Sequence, residues 1–175
     1  EDTAAYRVWV SEIMLQQTRV EAVKPFFERF IKALPDVQAL SEAPEDELLK
    51  LWEGLGYYNR VRNMQKAARV IVSEYGGDFP ADYEKLLSLP GLGHYTAGAV
   101  SSIAFGIPMP AVDGNVLRVL SRVTASYEDV LKQSVKTAME AEVKKIIPAD
   151  RAGDFNQALI EIGAIVCVPN GKAKC

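Results

Sequence analysis

The sequence has little cysteine, no excess of positive charge and no long apolar run. Its two cysteines, Cys167 and Cys175, sit together at one end of 175 residues. Two thiols make no disulfide framework; one disulfide stays open as a reading, but nothing else in the chain points to secretion. No apolar stretch approaches the ~20 residues that cross a bilayer, and no signal-peptide pattern opens the chain. The expectations are therefore no membrane partner and a cytoplasmic place. Lys and Arg number 20 against 23 Asp and Glu, for a net charge of −3. That balance excludes a protein that coats nucleic acid through bulk positive charge, while leaving room for a few local contacts and backbone amides. Sustained period-2 alternation, low-complexity tracts and internal repeats are also missing, which argues against a β fold or a solenoid.

What is present is ordinary for a globular protein: 49% hydrophobic and 25% charged residues. A chain of this length buries about 70% of its unfolded surface, enough for a real core. Apolar residues recur with helical spacing almost throughout. The pattern predicts nine helices, over 6–17, 20–34, 44–52, 60–75, 83–88, 94–105, 114–125, 131–147 and 151–166, and so an all-α fold. Val8, Ile13 and Leu15 are core candidates in the first, and Phe26, Phe27 and Phe30 crowd the second. The Gly/Pro-rich stretch 106–110 is the best break between regions, giving 1–109 and 110–175. The chain opens at Glu1 without Met, already near a helical pattern, and is read as a fragment cut at both ends.

The densest information lies in 89–116, LPGLGHYTAGAVSSIAFGIPMPAVDGNV. Gly91 and Gly93 of the Pro-Gly-Leu-Gly turn permit unusual backbone angles and close approach. A helix starting near His94 points its free N–H groups and dipole out of the turn, an anion site suited to a phosphate. A plain helix–helix turn with glycine caps is the competing reading. Asp113 follows in Val112-Asp113-Gly114-Asn115-Val116. It is placed to cap the next helix, and the same carboxylate is available for chemistry. Glu12 lies inside an apolar helix. It is either an ordinary solvent-facing Glu or a carboxyl whose pKa an apolar pocket would raise into the range of a general acid. Gln16, Gln17 and Thr18 end that helix. Tyr57 and Tyr58 follow Gly54-Leu55-Gly56, and one of the two is expected to pack inward. Arg60, Arg62, Lys66 and Arg69 form a basic face, either solvated or set against phosphates.

LPGLGHYTAGAV with VDGNV some twenty residues on resembles the helix-hairpin-helix DNA glycosylases, with the hairpin at about 83–105. SEIMLQQT at 11–18 and LWEGLGYYNRVRN at 51–63 resemble one branch, the A/G-specific adenine glycosylases of the MutY family. FNQALIEIGAIVC at 155–167 is similar to that family's helix leading into its iron–sulfur cluster. The resemblance covers nearly the whole chain. It implies removal of adenine paired with 8-oxoguanine or guanine from double-stranded DNA, in base-excision repair, by a bacterial monomer.

The resemblance also implies roles. Glu12 protonates N7 of adenine, and Asp113 stabilises or traps the oxocarbenium-like sugar, a division of labour that parallels O-glycoside hydrolysis. Tyr95 stands where bifunctional glycosylase/lyases carry a Schiff-base Lys; a phenol forms no imine, so base removal without strand cleavage is expected. Gln17 wedges into the base stack, with Thr18, Leu15, Leu55 and Tyr57 at the lesion. Gly91, Gly93 and His94 hold DNA, Gln157 lines the adenine pocket, and Asn115 supports Asp113. The acid and the Asp come from different regions, so the family's site lies between them. Cys167 and Cys175 match the first two ligands of a [4Fe–4S] cluster. The common spacing is C-x6-C-x2-C-x5-C, whereas seven residues lie between these two, and the other ligands would lie outside the chain. The cluster is thus expected in the full-length parent and not in this piece, whose own activity is in doubt. A hairpin-bound alkali or calcium ion on carbonyls around Leu87, Leu89 and Leu92 is also implied by the resemblance. The competing readings are an endonuclease III-like lyase for oxidised pyrimidines, against which Tyr95 and the QQT and YY motifs count, and a non-enzymatic DNA-binding module, against which Glu12 and Asp113 count.

Overall fold

A computed structural model of the chain describes residues 2–170 and 174–175. Among them there is no strand, and the helices are α1 (Asp2–Leu15), α2 (Val20–Ala33), α3 (Val37–Glu42), α4 (Glu45–Trp52), α5 (Asn59–Tyr75), α6 (Tyr83–Ser88), α7 (His94–Ala99), α8 (Gly114–Val123), α9 (Gln133–Ile146) and α10 (Ala152–Glu161). Two π-helical turns, Val100–Ala104 and Ile162–Val166, extend α7 and α10. The all-α expectation holds. The short α3 is the element the apolar spacing misses, because six residues carry too little periodicity. Its signal is the cap: Asp36 Oδ1 accepts the Ala39 N–H at 2.8 Å.

The chain divides into two compact units, Glu1–Thr96 and Ala97–Cys175. In the first, α1 packs on α2 and α5 on α3. The α1 face that is buried carries Tyr6, Trp9, Val10, Ile13 and Met14, while Val8 and Leu15 are only half-buried. This face repeats at helical spacing, as a core-facing stripe must. Trp9 meets Phe79 edge-on at 5.3 Å, and Phe30 meets Trp52 at 5.9 Å. Phe26 and Phe27 are half-buried, each under an Arg, Arg29 and Arg7. Tyr6 Oη donates to the Leu34 carbonyl at 2.7 Å, and burial, aided by the nearby Asp36 carboxylate, lifts this phenol above the ordinary tyrosine range.

In the second unit α8, α10 and the π turn Ile162–Val166 pack together. Val112, Val116, Leu117 and Val143 form the buried centre. The division falls inside α7, so the 106–110 break belongs to the second unit and is no border. The reason is close packing. A Cβ on Gly98 would lie 1.9 Å from the Pro110 carbonyl oxygen. Buried Asn156 then locks the segment: its Oδ1 accepts the Ala111 N–H at 3.1 Å, and its Nδ2 donates to Ser102 Oγ and the Met109 carbonyl.

Candidate functional site

The first unit brings Glu12 and Tyr95 together. Tyr95 Oη donates to Glu12 Oε2 at 2.6 Å, and both side chains are half-buried. Glu12 is thus no free surface carboxylate. It sits beside the buried Ile13 and Val10 on a helix rooted in the core, and the phenol fixes one of its oxygens. Such a pair can hold a carboxyl in one rotamer and exchange a proton with a bound group.

The hairpin forms as expected. Asp82 caps α6 by accepting the Lys85 N–H at 2.9 Å, and buried Leu89 and Leu92 pin both sides of the turn. The Leu92 N–H bonds back to the Leu89 carbonyl at 3.2 Å. Gly91 has φ +79°, and a Cβ there would meet Asn63 Cβ at 2.7 Å, so both backbone and space demand glycine. Gly93 differs: a Cβ there would have no neighbour within 4 Å, and no positive φ calls for glycine. His94 is exposed and shares a 2.8 Å hydrogen bond with Tyr83 Oη.

The turn after α1 departs from expectation. Helix α1 stops at Leu15, two residues early, and Gln17 takes φ +60°. Arg60 is the cause. Its Nη1 takes the carbonyls of Ile13 at 2.8 Å and Gln16 at 2.7 Å, and its Nη2 takes those of Leu55 at 3.0 Å and Gly56 at 3.3 Å. A guanidinium on terminal carbonyls is a helix C-cap. Burial pulls its pKa below the ordinary arginine range, with nearby Tyr57 opposing that shift. The basic face is therefore corrected. Arg60 is committed to the fold, Arg62 pairs with Glu45 at 2.9 Å, and Arg69 bonds the Ser41 carbonyl at 3.2 Å. Lys66 is exposed. Neither Tyr57 nor Tyr58 packs inward, since they are 70% and 37% exposed, and Tyr57 holds φ +49°. Leu55 is the residue that is buried. Gln17 is exposed, and Thr18 and Leu15 are half-buried.

In the second unit Asp113 performs two tasks. Oδ1 accepts the Val116 N–H at 2.9 Å, capping α8, and Oδ2 accepts from Asn115 Nδ2 at 2.7 Å. Asn115 is held in turn by Arg118, whose Nη2 donates to Asn115 Oδ1 at 2.8 Å and to the Gly163 carbonyl at 2.7 Å. Arg118 Nε donates to the Cys167 carbonyl at 2.7 Å. One continuous chain of hydrogen bonds thus runs from Asp113 to Cys167. Arg118 is the member that sequence reasoning missed; its signal was a cation between apolar residues of α8, three residues after Asn115. Gln157 is exposed and bonds only its own helix, at the Gly153 carbonyl.

Cys167 is buried, with Arg122 Nη1 3.1 Å from its sulfur, and Cys175 is exposed. A [4Fe–4S] cluster takes four thiolates, this chain has two cysteines, and no group of three or more His, Cys, Asp or Glu among the described residues is placed to hold a metal. The residues present do not complete a cluster site.

Residues 10–148 match the model of the HhH-GPD superfamily, base excision DNA repair proteins. The chain belongs to that superfamily. Within it, the chain is 47% identical over 169 residues to the adenine DNA glycosylase of Mus musculus, covering 96% of this chain and 33% of that protein. It is 38% identical over 175 residues to the adenine DNA glycosylase of Buchnera aphidicola subsp. Schizaphis graminum, covering all of this chain and half of the relative. A solved thermostable thymine-DNA glycosylase matches at a TM-score of 0.87 and 28% identity, over 99% of this chain and 79% of that one. A trapped endonuclease III–DNA covalent intermediate matches at 0.82 and 28%, over 94% and 76%. The chain spans a third to a half of the length of these curated relatives.

Proposed function

We propose that the protein carrying this chain is a monofunctional DNA N-glycosylase that removes adenine opposite 8-oxoguanine or guanine. The observation that carries the reading is the 2.6 Å bond from Tyr95 to Glu12. A phenol occupies the position where a lyase carries its amine, and it holds the carboxyl that the reaction needs. In the proposed reaction Glu12 delivers a proton to N7 of adenine. The N-glycosidic bond then breaks with its electron pair leaving on the neutral base. The Asp113 carboxylate, oriented by Asn115 and Val116 N–H, faces the positive charge that develops on the sugar. Water adds to the sugar carbon, loses a proton, and leaves an abasic site.

For DNA binding, the support is local and does not come from net charge. The hairpin offers backbone N–H groups, and Gly93 keeps its surface clear where neither packing nor φ requires glycine. Exposed Tyr57, held at φ +49° with Arg60 5.8 Å from its ring, is poised to insert at a base step. Gln17 and Thr18 accompany it. Cys167 and Cys175 are taken as two of four cluster ligands of the longer protein, and no catalytic step passes through that group.

The test uses full-length protein and duplexes bearing adenine opposite 8-oxoguanine, or thymine glycol. Strand breaks at adenine that appear only after alkali are expected. Breaks at thymine glycol without alkali would favour the lyase, and binding with no cleavage of either would favour a binding module.

A further inference from the structure

Among the described residues, three that are not glycine hold a positive φ: Gln17 at 60°, Tyr57 at 49° and Ala125 at 51°. Such angles are uncommon for residues with a Cβ, and they persist only where neighbouring structure enforces them. For two of the three the enforcing group is the same. Arg60 Nη1 donates to the Gln16 carbonyl at 2.7 Å, and its Nη2 donates to the Gly56 carbonyl at 3.3 Å. Those carbonyls belong to the peptide units immediately before Gln17 and Tyr57. Holding a carbonyl fixes its peptide plane, and φ of the next residue is measured from that plane.

Capping α1 does not by itself call for this arrangement. A cap needs only the carbonyls at the helix end, yet the same fork also takes the Leu55 carbonyl at 3.0 Å, in a loop far along the chain. The Gly56 carbonyl is held from a second side by Trp52 Nε1 at 3.0 Å, and Trp52 is fully buried. The Arg60 backbone N–H closes a turn onto the Tyr57 carbonyl at 3.0 Å, and its guanidinium carbon lies 5.8 Å from the centre of the Tyr57 ring. Gln17 and Tyr57 are themselves exposed, so burial of their own side chains does not explain either angle. One planar group with five donors, anchored against the core, thus sets two exposed side chains from two separate loops.

We propose that Arg60 is a positioning residue that makes Gln17 and Tyr57 one unit for reading the base opposite the target adenine. On the glycosylase reading above, on which this rests, discrimination between 8-oxoguanine and guanine then depends on a side chain that itself bonds only backbone carbonyls.

The test is single-turnover adenine release by the full-length protein, well below its Tm, from duplexes with adenine opposite 8-oxoguanine and opposite guanine. The readout is the ratio of the two rates at subsaturating protein. Loss of stability alone lowers both rates together and leaves this ratio in place. Arg60→Lys keeps the charge but loses the fork that reaches both loops, and should lower the ratio by about tenfold, the usual worth of a stacked base or a hydrogen bond. Gln17→Ala and Tyr57→Ala should each lower it by a similar factor, and the double variant by little more than either, because residues that act as one unit are not additive. That second comparison stands on its own should Arg60→Lys not fold. A ratio unchanged in folded Arg60→Lys, independent losses that multiply in the double variant, or a parent that treats the two duplexes alike would each overturn the positioning role while adenine release stays intact. A parent that releases adenine from neither duplex overturns the glycosylase reading itself, and the positioning role with it.

Discussion

Tyr95 lies 83 residues from Glu12 in the chain and 2.6 Å from it in space. That contact makes the two separable by substitution. Glu12→Gln removes the proposed proton donor and should lower the rate of adenine release in the full-length protein by about 10²–10⁴-fold, the usual worth of a general acid. Tyr95→Phe keeps the ring and removes only the hydroxyl, so single-turnover rates should fall about tenfold, with DNA affinity within about twofold. An unchanged rate in either variant would refute its assignment. At Asp113 the geometry adds a further residue. Arg118→Lys keeps a charge but cannot bond Asn115, the Gly163 carbonyl and the Cys167 carbonyl together. Adenine release should slow and the second unit should lose about 1–3 kcal/mol, read by denaturant melts beside the kinetics. Asn115→Ala, which removes the link to Asp113, should reproduce the kinetic part. Of these residues the acids were legible from motif. Arg118 was not, because its partners Gly163 and Cys167 lie 45 and 49 positions away.

Among the elements, the hairpin and the α7 extension show glycine used for opposite reasons. Gly98 is required by packing, since any Cβ meets the Pro110 carbonyl at 1.9 Å. Gly98→Ala forces backbone to move and should cost more than about 4 kcal/mol, visible as loss of the cooperative transition of the second unit. Gly93→Ala meets nothing in the fold. Its stability should stay within about 0.5 kcal/mol of the parent, while duplex binding in a gel-shift titration should weaken, because in the proposed interface the methyl would stand where a phosphate approaches. A Gly93→Ala chain that binds duplex normally would remove the hairpin from the interface. Sequence reading treated Gly91 and Gly93 alike. It could not separate them, because the difference lies in Asn63, which packs against one and not the other.

For the molecule as a whole, stability should carry an alkaline limb set by Tyr6. Its folded pKa is raised by burial above the ordinary value of 10.0. Below pH 10 the phenol keeps its proton in both states. Above it the unfolded chain loses the proton first, so the contribution of Tyr6 declines as pH climbs. Denaturant midpoints measured from pH 8 to 11 should fall beyond pH 10. Tyr6→Phe should start lower, for want of the bond to the Leu34 carbonyl, and fall less steeply. The net charge of −3 gives no global attraction for DNA. On the proposed reading, DNA binding would rest on the hairpin and the few groups around it, and should carry a shallow salt dependence.

The sequence by itself determined the helical class, most helix positions and the hairpin. All of these are written locally, in apolar spacing, caps and short motifs. Only the tertiary structure decided that α1 ends at Leu15, that Arg60 serves the fold, and that Tyr57 and Tyr58 both face out while Leu55 is buried. It also decided that the 106–110 break is interior to a unit. Each of these depends on which distant carbonyl, amide or backbone turn a side chain meets. Such pairings are fixed when the chain packs, and no spacing along the sequence records them.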